Sequence, residues 1–565
     1  RLANLIYYPE KMINQIKQAN EYTEDWQKMA VYRLVQICRE VSSKYTRSKV
    51  RKKMPKEFSG VIDELLYVDN TDDNKTEYYS ELINTLIDVR VADSFIVVIC
   101  SLIRSLTIDN LHILGDIFDR GPRPDIILEE LMHFHDVDIQ WGNHDISWMG
   151  AATGNRACIC NVLRMALGYN GFDVLEDGYG INLRPLSMFA ERVYRDDPCT
   201  CFLPQILDKN IYDAVDPKLA AKMHKAIAVL QYKEEGQIIK RHPEYGMEER
   251  ILLSAIRYDR GTVTIDGKEY PMRDMNFPTV DPADPLRLTD EEEELLHTLE
   301  LSFRHNARLH EHVRFLYSNG SMYKCCNSNL LYHGCIPMTE NREFDGLMVG
   351  GKMYRGKELM DFIDTQVKNA YFLPEDAPEK EACRDFMWYL WNGAKSPVFG
   401  KDKNRSFEHY FIEDPEVMRE TMNPYYQLSE EEETCDMILK EFGLPTKGSH
   451  IINGHMPVKI KSGETPIRAG GKLFIIDGGL SKAYQERTGI AGYTLIFNSH
   501  HLALAEHKPF DPERERTPKV YIVEKMQKRI TVADTDEGKE LAGRIEDLKE
   551  LLKAYRSGLL KERVR

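Results

Sequence analysis

No apolar run in this sequence is long enough to cross a membrane. The longest, from Phe95 to Ile103, is about half of what a bilayer span requires. No excess of basic charge is present either. Lys and Arg number 75 against 90 Asp and Glu, and the resulting −15 repels nucleic-acid backbones and anionic membranes. Neither nucleic acid nor a membrane is expected as a partner. Cysteine is sparse: eleven residues, an odd number without a regular framework, argue against a disulfide-stapled secreted protein and for the reduced thiols of a cytoplasmic one. The first residue is Arg1, and no charged-then-apolar signal pattern follows it. What remains is ordinary globular material, with 42% hydrophobic, 29% charged and 10% aromatic residues. A chain of 565 residues allows three or four domain-sized units, or one large domain carrying long insertions.

The texture changes along the chain. Residues 1–90 read as a helical block, with Met29, Leu34, Val35, Ile37 and Val41 among Lys, Glu and Gln. Its basic run, Arg47 to Lys53, reads as a solvated helix end. From Phe95 short buried runs closed by turn residues take over, and 91–185 reads as the first half of a core. Leu111–Leu114 runs into Gly115-Asp116, and Val137–Trp141 runs into Gly142-Asn143. A helical stretch, Asp125 to His135, lies between them, which makes a βαβ unit with a parallel sheet.

Residues 186–315 read as a helical insertion containing a hairpin at Val263–Lys268. Near its end Thr289 and Glu292 form a capping box that starts a helix running to about Tyr317. A core segment follows at 316–351, with a strand at Asn329–Tyr332, and then a second helical insertion at 352–440. The second half of the core, 441–535, carries strands at His450–Asn453 and Lys472–Ile476. Residues 536–565 read as a terminal helix, with Leu541, Ile545, Leu548, Leu552 and Leu559 on one stripe that packs against this chain or a second subunit.

Four polar clusters follow four strand-like runs: Gly115-Asp116-Ile117-Phe118-Asp119-Arg120-Gly121, Gly142-Asn143-His144-Asp145, His333-Gly334 and Gly454-His455. In an open α/β sheet such loops at the carboxyl ends of strands form the active site. A carboxylate, an amide oxygen and two imidazoles are the mixed donor set expected for Mn, Fe or Zn. One carboxylate can also bridge two ions, as a two-metal phosphoester site requires.

These motifs, in this order, resemble those of the calcineurin-like metallophosphoesterases. The resemblance implies an α/β sandwich of two packed β-sheets flanked by helices, here with large helical insertions. It also implies that Asp116 bridges two metals and that Asn143, His333 and His455 complete the shell of one of them. His144 is then the general acid, Asp119 its orienting carboxylate and Arg120 the phosphate holder. Longer stretches, Leu111 to Asp125, Leu331 to Pro337, Ser396 to Lys401 and Ile452 to Val458, look like class III fructose-1,6-bisphosphatases over nearly the whole chain. That family implies a cytoplasmic, Mn-dependent gluconeogenic phosphomonoesterase acting on a sugar bisphosphate, with adenine-nucleotide regulation and homo-oligomer formation.

In one respect the sequence departs from the superfamily. Its first motif, Asp-x-His, supplies the terminal ligands of the other metal, and no Asp-x-His-Gly precedes Gly115. An N-terminal segment of ~100 residues or fewer is therefore expected to be absent from the sequence. Two other readings remain open at this point. One is a metallophosphatase for phosphoproteins or dinucleotide polyphosphates, and the other is a non-catalytic phosphatase-like scaffold. His305, His310 and His312 lack the i, i+4 spacing of a helix-borne zinc pair and read as solvated or core residues. Cys158-x-Cys160 and Cys199-x-Cys201 are tighter than zinc knuckles.

Overall fold

The computed structural model describes residues 2–67, 73–205, 216–509 and 518–560. The chain forms two compact units, one of residues 1–112 with 130–138 and the other of 113–129 with 139–565.

The first unit is built from helices. Thr23 accepts a hydrogen bond from the amide of Trp26 and caps the helix Glu24–Ser42, whose buried face carries Val31, Leu34, Val35 and Cys38. The run Phe95–Ile103 is not strand-like: it is the middle of the helix Ala92–Thr107. Phe95, Ile96, Ile99, Cys100 and Ile103 recur at helical intervals and share one core with the Glu24–Ser42 face. The basic run is occupied within the unit. Arg47 and Arg51 both bind Asp63, at 2.7 and 3.0 Å, and Lys53 Nζ donates to the Ser105 carbonyl.

The second unit mixes several small sheets with many helices. Its strands include β1 (Leu111–Ile113), β2 (Val137–Gln140), β3 (Gly320–Ser321), β4 (Tyr323–Cys326) and β5 (Asn329–Tyr332), the first two shared with the unit boundary. After the second helical stretch come β6 (His450–Asn453), β7 (Ile467–Arg468) and β8 (Leu473–Ile475). Five of them form a sheet in the order β7-β8-β6-β5-β4. Within it β8, β6 and β5 run parallel, with Ile452 beside both Leu331 and Phe474. Parallel strands in register release their carboxyl ends at one edge, so His333, His455 and Asp477 leave the sheet side by side.

A meander of three antiparallel strands, β9 (Gly492–Phe497), β10 (His501–His507) and β11 (Lys519–Lys525), forms another sheet. Buried Leu331, Ile452 and Phe474 of the five-stranded sheet form one apolar cluster with Leu502 of β10 and Leu114. β2 pairs in parallel with β3, Ile139 beside Gly320.

The helical part also differs in detail from the sequence reading. The capping box of Thr289 and Glu292 is present, with its two reciprocal hydrogen bonds. The helix it starts, however, ends at Arg304, and a second one covers Ala307–Asn319. Asn306 is the cause: its side-chain oxygen accepts from the Leu309 amide at 2.9 Å and caps a new helix. His310 and His312 are bound to the hydroxyls of Tyr371 and Tyr179, and both read as packed side chains. The hairpin turns at Asp266-Gly267, both with positive φ, between Thr262–Ile265 and Lys268–Pro271. The terminal helix is Asp536–Arg556, so Leu559 lies beyond its end, and among the described residues nothing covers the rest of the stripe: Leu541, Ile545, Leu548 and Leu552 are exposed.

Candidate functional site

The four motifs meet in the second unit. Asp145, the last residue of Gly142-Asn143-His144-Asp145, holds two of them together. One of its carboxylate oxygens accepts from the amides of Asp116 (2.7 Å) and Gly142 (3.0 Å), and the other from those of Ile117 (2.9 Å) and Phe118 (3.4 Å). Burial and the nearby Asp116 charge push its carboxyl up, against the Gly142 and Asp116 amides and the His333 charge, which favour its charged form. Asp116 adopts a left-handed backbone, φ 56°, and its Oδ1 accepts from the His144 amide at 3.0 Å. The loops approach so closely that a Cβ on Gly142 would lie 2.1 Å from that oxygen, so this position admits only glycine.

The other carboxylate oxygen, Asp116 Oδ2, lies 3.1 Å from His333 Nε2. His333 Nδ1 donates to the Leu114 carbonyl and His455 Nε2 donates to the Phe399 carbonyl, the latter at 3.1 Å. Each bond commits one ring nitrogen and turns the other inward, where His333 Nε2 and His455 Nδ1 lie 3.2 Å apart. Three lone-pair atoms thus converge on one point. The buried Asn143 Oδ1, on the residue preceding His144, has no hydrogen-bond partner among the described residues. Such an arrangement is repulsive unless something positive stands at its centre, and the side chains therefore fit a cation.

Without one, a proton takes its place. Burial disfavours charge on His333, but Asp116 and the Leu114 carbonyl outweigh it and raise its pKa to about 9. His455, buried beside that charge, is driven down to about 3. Burial likewise opposes ionisation of Asp116, yet the histidines hold its carboxyl well below the usual range.

A second group, Asp116, Asp119 and His144, adjoins the first. His144 Nε2 lies 3.1 Å from Asp119 Oδ1, and its ring stands edge-on to Trp391 at 4.9 Å. Arg120, also left-handed at φ 54°, places its guanidinium over the rings of Tyr169 (4.3 Å) and Tyr484 (5.0 Å). A cavity of about 40 Å³ opens here, lined by Arg120, His144, Tyr169, Trp148, Phe118 and Trp391 among others.

A family model described as Firmicute fructose-1,6-bisphosphatase matches residues 1–557. The chain is 50% identical over 570 residues to the fructose-1,6-bisphosphatase class 3 of Clostridium tetani, covering 100% of this chain and 86% of that protein. Identity is again 50%, with the same coverage, to the proteins of that name from Bacteroides fragilis and Bacteroides thetaiotaomicron. The chain belongs to the class 3 fructose-1,6-bisphosphatase family. No solved structure matches it.

In this member of the class 3 fructose-1,6-bisphosphatase family, all seven residues singled out from the sequence lie in the second unit, in these two adjoining groups or beside them. Sequence reasoning missed Asp477, which follows β8. Its carboxylate accepts from the Gly479 amide at 2.7 Å, and burial with the charges of Asp119 and Asp116 pushes it up to about 6. Its signal was a polar residue after a buried strand, the same as for the four motifs. The Ser396 to Lys401 stretch gains a structural role, since it delivers the Phe399 carbonyl that orients His455. Tyr169, Tyr484 and Trp391 carried no signal at all.

Proposed function

We propose that this chain hydrolyses fructose 1,6-bisphosphate to fructose 6-phosphate and phosphate, as a metal-dependent phosphomonoesterase of gluconeogenesis in the cytoplasm. The observation that carries the reading is the inward convergence of Asp116, His333 and His455 beside a His144–Asp119 pair, in a chain whose full-length relatives bear the fructose-1,6-bisphosphatase name. The five-stranded sheet packed on the β9-β10-β11 meander supports a calcineurin-like metallophosphoesterase sandwich as its frame.

Asp116 would bridge two divalent ions, with Asn143, His333 and His455 holding one of them. Manganese fits this mixed oxygen and nitrogen set, as do iron and zinc. When bound, the ions would supply Lewis acidity to the phosphoryl oxygens and activate a water for in-line attack. The chain's own groups do the rest. Arg120 holds phosphate oxygens with its planar fork, and the two tyrosine rings limit its rotation. His144 Nε2 faces the Asp119 carboxylate at 3.1 Å, which leaves Nδ1 as the nitrogen that delivers a proton. As the phosphorus–oxygen bond to the sugar breaks, that proton goes to the departing alkoxide.

The test, with manganese, is phosphate release from fructose 1,6-bisphosphate and from a phosphopeptide, and nucleotide release from a dinucleotide tetraphosphate. The sugar bisphosphate is expected to be turned over with the highest kcat/KM. Preference for either of the others would overturn the substrate assignment.

A further inference from the structure

We propose that Tyr484 is a positioning residue that sets Arg120 with its ring and Asp119 with its hydroxyl. The inference rests on the roles proposed above for Arg120 and His144.

Tyr484 lies far along the chain from the motif it touches, on the short helix Lys482–Thr488. Its hydroxyl donates to Asp119 Oδ1 at 3.2 Å, the same oxygen that faces His144 Nε2 at 3.1 Å. The Tyr484 hydrogen bond restrains the carboxylate's rotation and so holds this oxygen opposite His144 Nε2. The Tyr484 ring lies 5.0 Å from the Arg120 guanidinium, and from the same loop Ser481 Oγ donates to the Arg120 carbonyl at 3.3 Å.

The loop is built to let the tyrosine reach this place. Gly479 has φ +77°, and a Cβ there would lie 2.2 Å from Tyr484 Cβ. Burial and the Asp119 charge keep the hydroxyl protonated, so it remains a donor. Tyr169 shares only half of this arrangement. Its ring also flanks Arg120, but Asp119 is held by Tyr484.

The two functions are separable by substitution. Tyr484→Phe keeps the ring and removes only the hydroxyl, so it releases Asp119 while leaving Arg120 flanked. Tyr484→Leu and Tyr169→Leu both remove a ring from Arg120. An alkoxide needs its proton from His144 more than a nitrophenolate does, so fructose 1,6-bisphosphate and 4-nitrophenyl phosphate report on different halves.

In the manganese-loaded protein, Tyr484→Phe is expected to lower kcat on the sugar bisphosphate by about tenfold with KM within about twofold, and to spare 4-nitrophenyl phosphate. Tyr169→Leu is expected to raise KM by about fivefold on both substrates without changing their kcat ratio. Tyr484→Leu should combine the two effects. His144→Asn and Arg120→Lys are measured alongside. If they show the leaving-group and KM effects while Tyr484→Phe behaves as wild type, or loses equally on both substrates, Tyr484 is not a positioning residue. If His144→Asn and Arg120→Lys are themselves silent, the reading of the site fails and this inference falls with it. Tyr484→Phe is nearly isosteric, so the outcome does not depend on whether the leucine variants fold.

Discussion

His333 and His455 face one another with 3.2 Å between Nε2 and Nδ1, and each has its outer nitrogen tied to a backbone carbonyl. Neither ring can turn away without abandoning that bond, so the pair is held in a geometry that only a cation or a shared proton relieves.

Manganese is therefore expected to stabilise the protein. Titrated into chelator-treated protein, it should raise the melting temperature, with a gain of about 2.7 kcal/mol at one hundred times its dissociation constant. His333→Ala and His455→Ala should each abolish most of the rise and reduce the bound metal measured by mass spectrometry. An undiminished rise in both variants would place the ion elsewhere.

His144 stands outside this convergence, held by Asp119 and Trp391. His144→Asn should therefore leave metal content unchanged. Its cost should be ~100-fold or more in kcat for the sugar alkoxide and much less for an aryl phosphate. Equal losses on both would contradict an acid role.

Asp145 never reaches the reacting centre in this scheme, yet it binds four amides from two loops. Asparagine has one acceptor oxygen where aspartate has two, so Asp145→Asn must leave two of those amides facing a donor. The expected loss is about 2–6 kcal/mol of stability, since each unsatisfied buried donor costs about 1–3 kcal/mol. Urea titration would measure it, and an unchanged midpoint would show that the loops are held together by something else.

The contiguous parts of this site were legible because each motif is a few residues long and sits at a strand end, where an apolar run stops at a metal-capable side chain. Strands Asn329–Tyr332 and His450–Asn453 carried the same mark. What escaped acts across the chain. Tyr484 meets Asp119 and Phe399 meets His455 through tertiary approach, and an aromatic ring or a carbonyl leaves no pattern in sequence. The run Phe95–Ile103 was ambiguous for a different reason. A helix buried on most of its surface and a buried strand are both unbroken apolar text, and only length separates them. Asn306 was a cap hidden inside a helical period, where one polar residue decides between one helix and two.

The pH dependence of stability should carry the mark of Glu234, which lies 6% exposed on the helix Pro217–Arg241. Burial raises its carboxyl to about 7, more than the charges of Arg156 and Arg241 lower it. In the unfolded chain a glutamate titrates near about 4.3. Between these two values the folded protein holds a proton that the unfolded chain has released, so stability falls as pH rises through this window and levels off above it. The contribution is bounded by about 4 kcal/mol, the cost of a shift of this size. Glu234→Gln removes the titration while keeping shape and polarity. It should match the wild type near pH 4 and exceed it at pH 8, and the difference should grow between. Denaturant midpoints for both proteins across that range would decide it. Parallel curves would mean that Glu234 ionises in the folded state as readily as in water.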